Sequence, residues 1–123
     1  MGRAVQNPPR IFQVNWFRKG ADGKFLWPGF GENMRVLQWV VDRCHGRAEG
    51  EETALGWMPP LDGIDLVGLE GYSRSRLAEA LAISPDDWRT ELELQAELFS
   101  KLGERMPKEL LYERELLRSR LGA

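Results

Sequence analysis

The apolar residues of this 123-residue chain follow two periods, which divide it into an extended N-terminal part and a helical remainder. Residues 11–17 (IFQVNWF) are apolar and β-branched, as is typical of a strand. Residues 19–24 contain an Asp-Gly pair, a good hairpin connector, and residues 25–27 (FLW) form the predicted return strand before a Pro-Gly stop. The pattern therefore predicts an N-terminal β-hairpin that brings Phe17 and Phe25 close together.

From residue 33 the apolar period becomes helical. The first predicted helix follows Asn33, ends at Gly46, and places on one face Met34, Leu37, Val41 and Cys44, with Val36 and Val40 beside them. Residues 47–52 are predicted to form a charged surface loop, and residues 54–58 a short strand or extended segment that two prolines end.

Three further helices are predicted after this segment. The first covers residues 74–83, and the second is capped by Ser84, has Pro85 at its first position and ends at Gly103. The last begins at Pro107 and continues to residue 121. The expected fold class is α+β and mostly helical: an N-terminal β-hairpin followed by about four helices.

Composition and charge narrow the range of functions. Net charge is −2, but residues 1–30 carry +4 and the remainder −6, which places positive potential beside the N-terminal aromatic residues. That asymmetry is too weak to indicate binding to long nucleic acid. The single cysteine excludes an internal disulfide. No apolar run approaches eighteen residues and no signal peptide is visible, so a cytoplasmic protein without a membrane partner is expected.

An aromatic cluster is the clearest sign of chemistry in the chain. Five of the ten Phe and Trp residues lie between residues 16 and 30, interleaved with three cations and several glycines, and Asn33 follows them. Nucleobases stack on aromatic rings at roughly 1–3 kcal/mol per base, and an amide offers a donor and an acceptor to a base edge. These residue types together predict a pocket for a purine nucleotide.

The segment NWFRKGADGKFLWPGFGEN, residues 15–33, closely resembles the corresponding segment of GTP-dependent phosphoenolpyruvate carboxykinases. The resemblance continues through MRVLQWVVDR, ALGWMPP, SPDDWRTEL and LGERMPKEL, so it covers residues 11–121. Members of this family convert oxaloacetate and GTP to phosphoenolpyruvate, CO2 and GDP with divalent metals, usually Mn²⁺ and Mg²⁺. The resemblance implies that Phe25 and Phe30 sandwich guanine, that Phe17 and Trp16 complete an apolar wall, and that Asn33 lies at the base edge.

The family's phosphate loop, metal ligands, substrate arginines and lid find no match in this sequence, which contains no G-x-x-x-x-G-K-[ST] pattern. The resemblance therefore implies that the chain is a single C-terminal segment, 1–123, and a fragment of a larger α/β nucleotide-binding domain. This segment has an aromatic guanine-pocket hairpin and loop at 11–33 and a helical part at 34–123. It supplies no catalytic residue and no metal ligand, and alone it should be inactive. Its expected partners are guanine nucleotide and the remainder of the parent enzyme.

Several alternatives remain open from the sequence. Asn33 is equally suited to cap the following helix, and a freely rotating amide accepts guanine or adenine by flipping. The residues of the aromatic cluster would also suit an ordinary hydrophobic core. Trp57 and Trp88 are expected to be core residues. The alternative function is a non-catalytic helical interaction module whose aromatic cluster is core or a partner-docking surface. Uncovered apolar helix faces would favour self-association of the fragment.

Overall fold

Four α-helices carry most of the regular structure in the computed structural model, which describes residues 6–122. The helices are α1 (Asn33–Cys44), α2 (Arg74–Leu81), α3 (Pro85–Leu102) and α4 (Lys108–Leu121). Two strands, β1 (Glu51–Thr53) and β2 (Gly56–Met58), form a small antiparallel hairpin, and single 3-10 turns occupy Phe30–Glu32 and Gly103–Arg105. The mostly helical α+β class is confirmed. Residues 1–5 and 123 of the predicted segment lie outside the described part.

Helix α3 begins and ends where its capping residues predict. The Ser84 side chain accepts a hydrogen bond from the Asp87 backbone N–H at 3.3 Å, and Pro85 occupies the first helical position. Gly103 ends the helix with φ 54, in the positive-φ region that favours glycine. Local capping residues are therefore enough to account for both ends of α3.

The predicted N-terminal hairpin is shorter than expected. Within residues 6–122, no named strand precedes β1, and the only antiparallel bridge outside the named strands joins Lys19 and Phe25. A strand over residues 11–17 was therefore wrong. Phe12 and Trp16 pack against the core at a spacing of four, whereas Ile11 is 91% exposed, so the alternation of a half-buried strand is absent.

Helix α1 buries a different face from the predicted one. Trp39 is buried, with Val36 and Val40 packed against the same cluster, whereas the predicted stripe is exposed at Met34, Leu37, Val41 and Cys44. Both sets have helical spacing. The Trp39 indole donates to the Glu49 carbonyl at 3.0 Å, and its large ring turns this side of the helix inward.

Two further expectations were wrong between α1 and α2. The charged loop predicted at 47–52 contributes its last residues to β1, which pairs with the predicted short strand. Thr53 supports the turn by donating its hydroxyl to the Gly56 carbonyl at 2.7 Å. Trp57 is 59% exposed and is not a core residue, because successive side chains of a two-stranded hairpin point to opposite faces. Trp88 is half-buried.

The chain divides into two compact units. The first comprises Met1–Glu51 and Met58–Leu81. Its core cluster contains four buried residues, Trp27, Trp39, Ile64 and Leu77, and Leu26 is also buried in this unit. Because this cluster joins the segment before α1 to both α1 and α2, the first unit alone positions every predicted site residue.

The second unit comprises Glu52–Trp57 and Ala82–Ala123. Leu92 of α3 and Met106 of the following turn are its buried residues. Arg114 of α4 donates to the Leu92 carbonyl at 2.8 Å, which ties α3 to α4. Much of the apolar surface of both helices stays exposed, at Leu94, Leu98, Leu102, Leu110, Leu111 and Leu116.

Candidate nucleotide-binding site

The predicted site is built on a tight turn between residues 18 and 26. The Gly20 N–H donates to the Lys24 carbonyl at 3.0 Å, and the Leu26 N–H donates to the Arg18 carbonyl at 2.8 Å. A Cβ atom on Gly20 would lie 2.7 Å from Glu79 Oε1 and 3.0 Å from Leu26 Cδ2, so a side chain here would require these two neighbours to shift. The turn is therefore held by its own backbone and by its packing.

Polar side chains tie the same turn to α2. Arg18 donates to the Ala80 carbonyl at 2.9 Å, and Arg76 donates to the Phe25 carbonyl and the Asp22 carboxylate, at 3.2 and 3.3 Å. The pKa of Asp22 is lowered, chiefly by the hydrogen bond from the Lys24 N–H and then by Arg76, so this carboxylate stays charged. These contacts hold the backbone on either side of Phe25.

The structure places the four aromatic site residues in three situations. Phe17 and Phe25 are exposed, at 73% and 52%, and their rings meet edge to face with centroids 6.0 Å apart. Phe30 is 91% exposed in the 3-10 turn before α1. Trp16 is half-buried, packs against the core and lies 6.0 Å from the Trp27 ring. The alternation of exposed Phe25 and buried Leu26 anchors the displayed rings to the core.

Gly29 turns the chain from the buried segment to Phe30. Its φ of 131 lies in a region that L-residues with side chains rarely adopt. The exposed phenylalanine therefore follows a backbone geometry that requires glycine. Binding residues are often found on loops that a rigid scaffold positions, so Phe30 stays a candidate for base contact.

Asn33 does not cap α1. It is the first residue of the helix, and Glu32 occupies the cap position without a side-chain cap hydrogen bond. The Asn33 amide instead accepts a hydrogen bond at Oδ1 from the Trp27 indole Nε1–H, at 2.8 Å. The capping alternative was wrong, because a buried indole N–H needs an acceptor and this amide supplies it.

The sequence pattern did not reveal what Trp27 contacts. This residue was predicted as part of the return strand and in or beside the proposed pocket, and it joins the core, Trp16 and the amide of Asn33. The available signal was an indole donor six residues before an amide acceptor, a pairing that burial of the tryptophan makes necessary.

Positive charge lies beside the rings. The Lys19 ammonium is 5.6 Å from the Phe25 ring centroid, within the range of a cation–π interaction. Lys19 and Lys24 are exposed, whereas Arg18 is half-buried against α2. The cation nearest the aromatic surface is thus on a long, exposed side chain.

An open groove of about 370 Å³ lies elsewhere on the first unit, and none of the five predicted residues lines it. Its walls include Arg35, Gln38, Trp39 and Asp42. The exposed rings of Phe17 and Phe25, which form an aromatic platform, therefore lie outside this groove.

The Tyr72 ring packs edge to face against the Trp27 ring, with centroids 5.9 Å apart and an interplanar angle of 74°. Its hydroxyl is buried and has no hydrogen-bond partner among residues 6–122. Burial raises the pKa of Tyr72 above its usual value of 10.0, while the positive charge of Arg76 opposes that rise. The folded chain therefore holds the phenolic proton more firmly than the unfolded chain does.

This pKa shift predicts alkaline sensitivity. The stability that the neutral phenol contributes is complete below about pH 10 and is lost as the pH rises through the raised folded-state pKa. Tyr72→Phe should therefore flatten the fall in the free energy of unfolding as the pH rises above about 10, as measured by urea denaturation. The exposed Tyr112→Phe serves as the control. An unchanged slope in Tyr72→Phe would contradict the assignment.

Within the described range, no three His, Cys, Asp or Glu side chains group as metal ligands. None of the helices in this range is both long enough and apolar enough to span a bilayer.

Comparison with known proteins shows which family the sequence is similar to. The family model described as the phosphoenolpyruvate carboxykinase C-terminal P-loop domain matches residues 1–120. A protein of Anaeromyxobacter dehalogenans strain 2CP-1 named phosphoenolpyruvate carboxykinase [GTP] is 52% identical over 123 residues, which is 100% of this chain and 20% of the relative. Proteins of the same name from Corynebacterium efficiens and Paenarthrobacter aurescens are 46% and 44% identical, over 94% and 97% of the chain.

The chain thus spans about a fifth of the length of the curated relatives that it matches. The match covers both the aromatic platform and the helices that follow it. The chain belongs to the GTP-dependent phosphoenolpyruvate carboxykinase family.

Proposed function

We propose that this chain is the guanine-nucleotide-recognising part of a phosphoenolpyruvate carboxykinase (GTP), an enzyme that converts oxaloacetate and GTP to phosphoenolpyruvate, CO2 and GDP. The observation that carries the proposal is the pair of exposed rings, Phe17 and Phe25, which meet edge to face on a turn tied to α2. The exposed ring of Phe30 follows in the turn before α1. The relatives' name, which specifies GTP, supports it.

In this role the chain binds and orients the base. Phe25 and Phe30 stack on guanine, Phe17 and Trp16 complete the apolar wall, and the Asn33 amide meets the base edge. Holding the base fixes the position of the attached phosphates, and such positioning contributes through proximity. Lys19 adds positive charge beside the platform. The chain provides no acid, base or nucleophile, so alone it should turn over no substrate.

The family resemblance also implies Mn²⁺ or Mg²⁺ as cofactors. The residues described here do not fit a divalent-metal site, since no three candidate ligands are grouped. We therefore assign no metal to this chain and derive no step through one. Its proposed partners are guanine nucleotide and the remainder of the parent enzyme, in the cytoplasm.

The test is a titration of the purified chain with GTP and, separately, ATP, followed by tryptophan fluorescence. Trp16 directly precedes Phe17 in the chain and lies 6.0 Å from the Trp27 ring, so base stacking should change the emission of these tryptophans. Saturable binding with a preference for GTP is expected. A chain that is folded by circular dichroism and responds to neither nucleotide would contradict an autonomous base site.

A second candidate is a non-catalytic interaction module, which the exposed leucines of α3 and α4 favour. It predicts concentration-dependent self-association by analytical ultracentrifugation. Nucleotide-independent association without GTP binding would support this module over the nucleotide site.

A further inference from the structure

The hydrogen bond between Trp27 and Asn33 determines which way the Asn33 amide faces. An indole nitrogen is only a donor, so the atom that meets it at 2.8 Å must be the amide oxygen. The assignment of oxygen and nitrogen in the amide thus follows from chemistry and does not depend on how the two atoms are labelled. The amide nitrogen, with its two hydrogens, points away from Trp27.

Trp27 can impose this orientation because it is itself immobile. Its side chain is 8% exposed and belongs to the core cluster, with Trp16 and Tyr72 against its ring at centroid distances of 6.0 and 5.9 Å. Flipping the amide would leave the indole N–H facing an NH₂ group in a partly buried position. The hydrogen bond would then be lost, and two donors would face each other without an acceptor. The core therefore fixes which atom of the half-buried Asn33 amide faces Trp27.

An amide NH₂ group that meets the edge of a purine base distinguishes guanine from adenine at position 6. Guanine presents an acceptor oxygen there, whereas adenine presents an amino donor. We propose that Trp27 is a positioning residue: by holding Oδ1 of Asn33 on its indole N–H, it leaves Nδ2 to donate to the base, so that the site selects purines with a 6-oxo group over those with a 6-amino group. This proposal rests on the proposed function and names the residue that gives that site its base preference.

The most direct test compares inosine triphosphate with ATP, since inosine shares guanine's 6-oxo group and lacks its 2-amino group. The unmodified chain should prefer inosine triphosphate to ATP. Trp27→Phe removes the indole donor but keeps an aromatic ring, so the amide is free to flip and the affinity ratio should fall by about tenfold. A matched control is Trp39→Phe, which removes an equally buried indole that donates to the Glu49 carbonyl, and should leave the ratio unchanged.

A second measurement needs no ligand and keeps the proposal testable if Trp27→Phe fails to fold. In ¹⁵N–¹H spectra, Asn33→Ala should shift the Trp27 indole proton and speed its exchange with solvent, while the Trp39 indole proton stays unchanged. An unaffected Trp27 indole proton would overturn the fixed orientation.

The outcomes separate the two proposals. If Trp27→Phe binds inosine triphosphate and GTP with the same affinity relative to ATP as the unmodified chain does, the role of Trp27 is overturned and the proposed function stays intact. Binding of GTP without inosine triphosphate shows recognition through the 2-amino group and also overturns it. Absence of purine binding by the unmodified chain overturns both.

Discussion

Replacing Phe25 with alanine is expected to weaken GTP binding by roughly 5- to 150-fold, the equivalent of about 1–3 kcal/mol of base stacking. Phe25 is 52% exposed and packs on Phe17, and the hydrogen bond that Arg76 makes to its backbone carbonyl survives the substitution. The folded structure should therefore persist while the stacking surface is lost. Fluorescence titration with GTP and ATP measures the effect.

The two nucleotides make this result specific. Stacking acts on the face of any base, so Phe25→Ala should weaken GTP and ATP binding by similar factors, in contrast to the change of ratio expected for Trp27→Phe. Tyr112→Ala, which removes a 71% exposed ring from α4, is the matched control and should leave binding unaltered. GTP affinity in Phe25→Ala equal to that of the unmodified chain would show that this ring is not part of a base site.

Leu26→Ala is expected to lower the free energy of unfolding by about 2–5 kcal/mol, the usual cost of a buried leucine and the cavity it leaves. Leu26 is 2% exposed, and its Cδ2 atom lies against the position that a Cβ of Gly20 would take. Because domains are stable by only about 5–15 kcal/mol, the loss is a large share of the total. Urea denaturation followed by tryptophan fluorescence measures it.

The same substitution should also disturb the platform, because Leu26 anchors the segment that displays Phe25. Val67→Ala is the control in the same unit: its side chain is 82% exposed, and a change within about 0.5 kcal/mol is expected. A Leu26→Ala variant as stable as Val67→Ala would show that the turn does not depend on this contact.

The sequence by itself determined the features that rest on local chemistry. Ser84, Pro85 and Gly103 fix the ends of α3, since capping bonds and positive φ involve only neighbouring residues. The turn between Lys19 and Phe25 likewise follows from its glycines, although the strand predicted before it did not form. The family resemblance was also readable, because the aromatic and glycine spacing of residues 15–33 is specific.

Tertiary structure decided which of two competing helical stripes is buried and what each polar side chain contacts. Periodicity allowed α1 to bury either Leu37 or Trp39, and the cluster with Ile64 and Leu77 selects Trp39. The Asn33 side chain was equally suited to cap a helix and to hydrogen-bond a base edge. Only burial of Trp27 excludes the cap and orients the amide, because an indole donor removed from water requires an acceptor that sequence spacing alone does not identify.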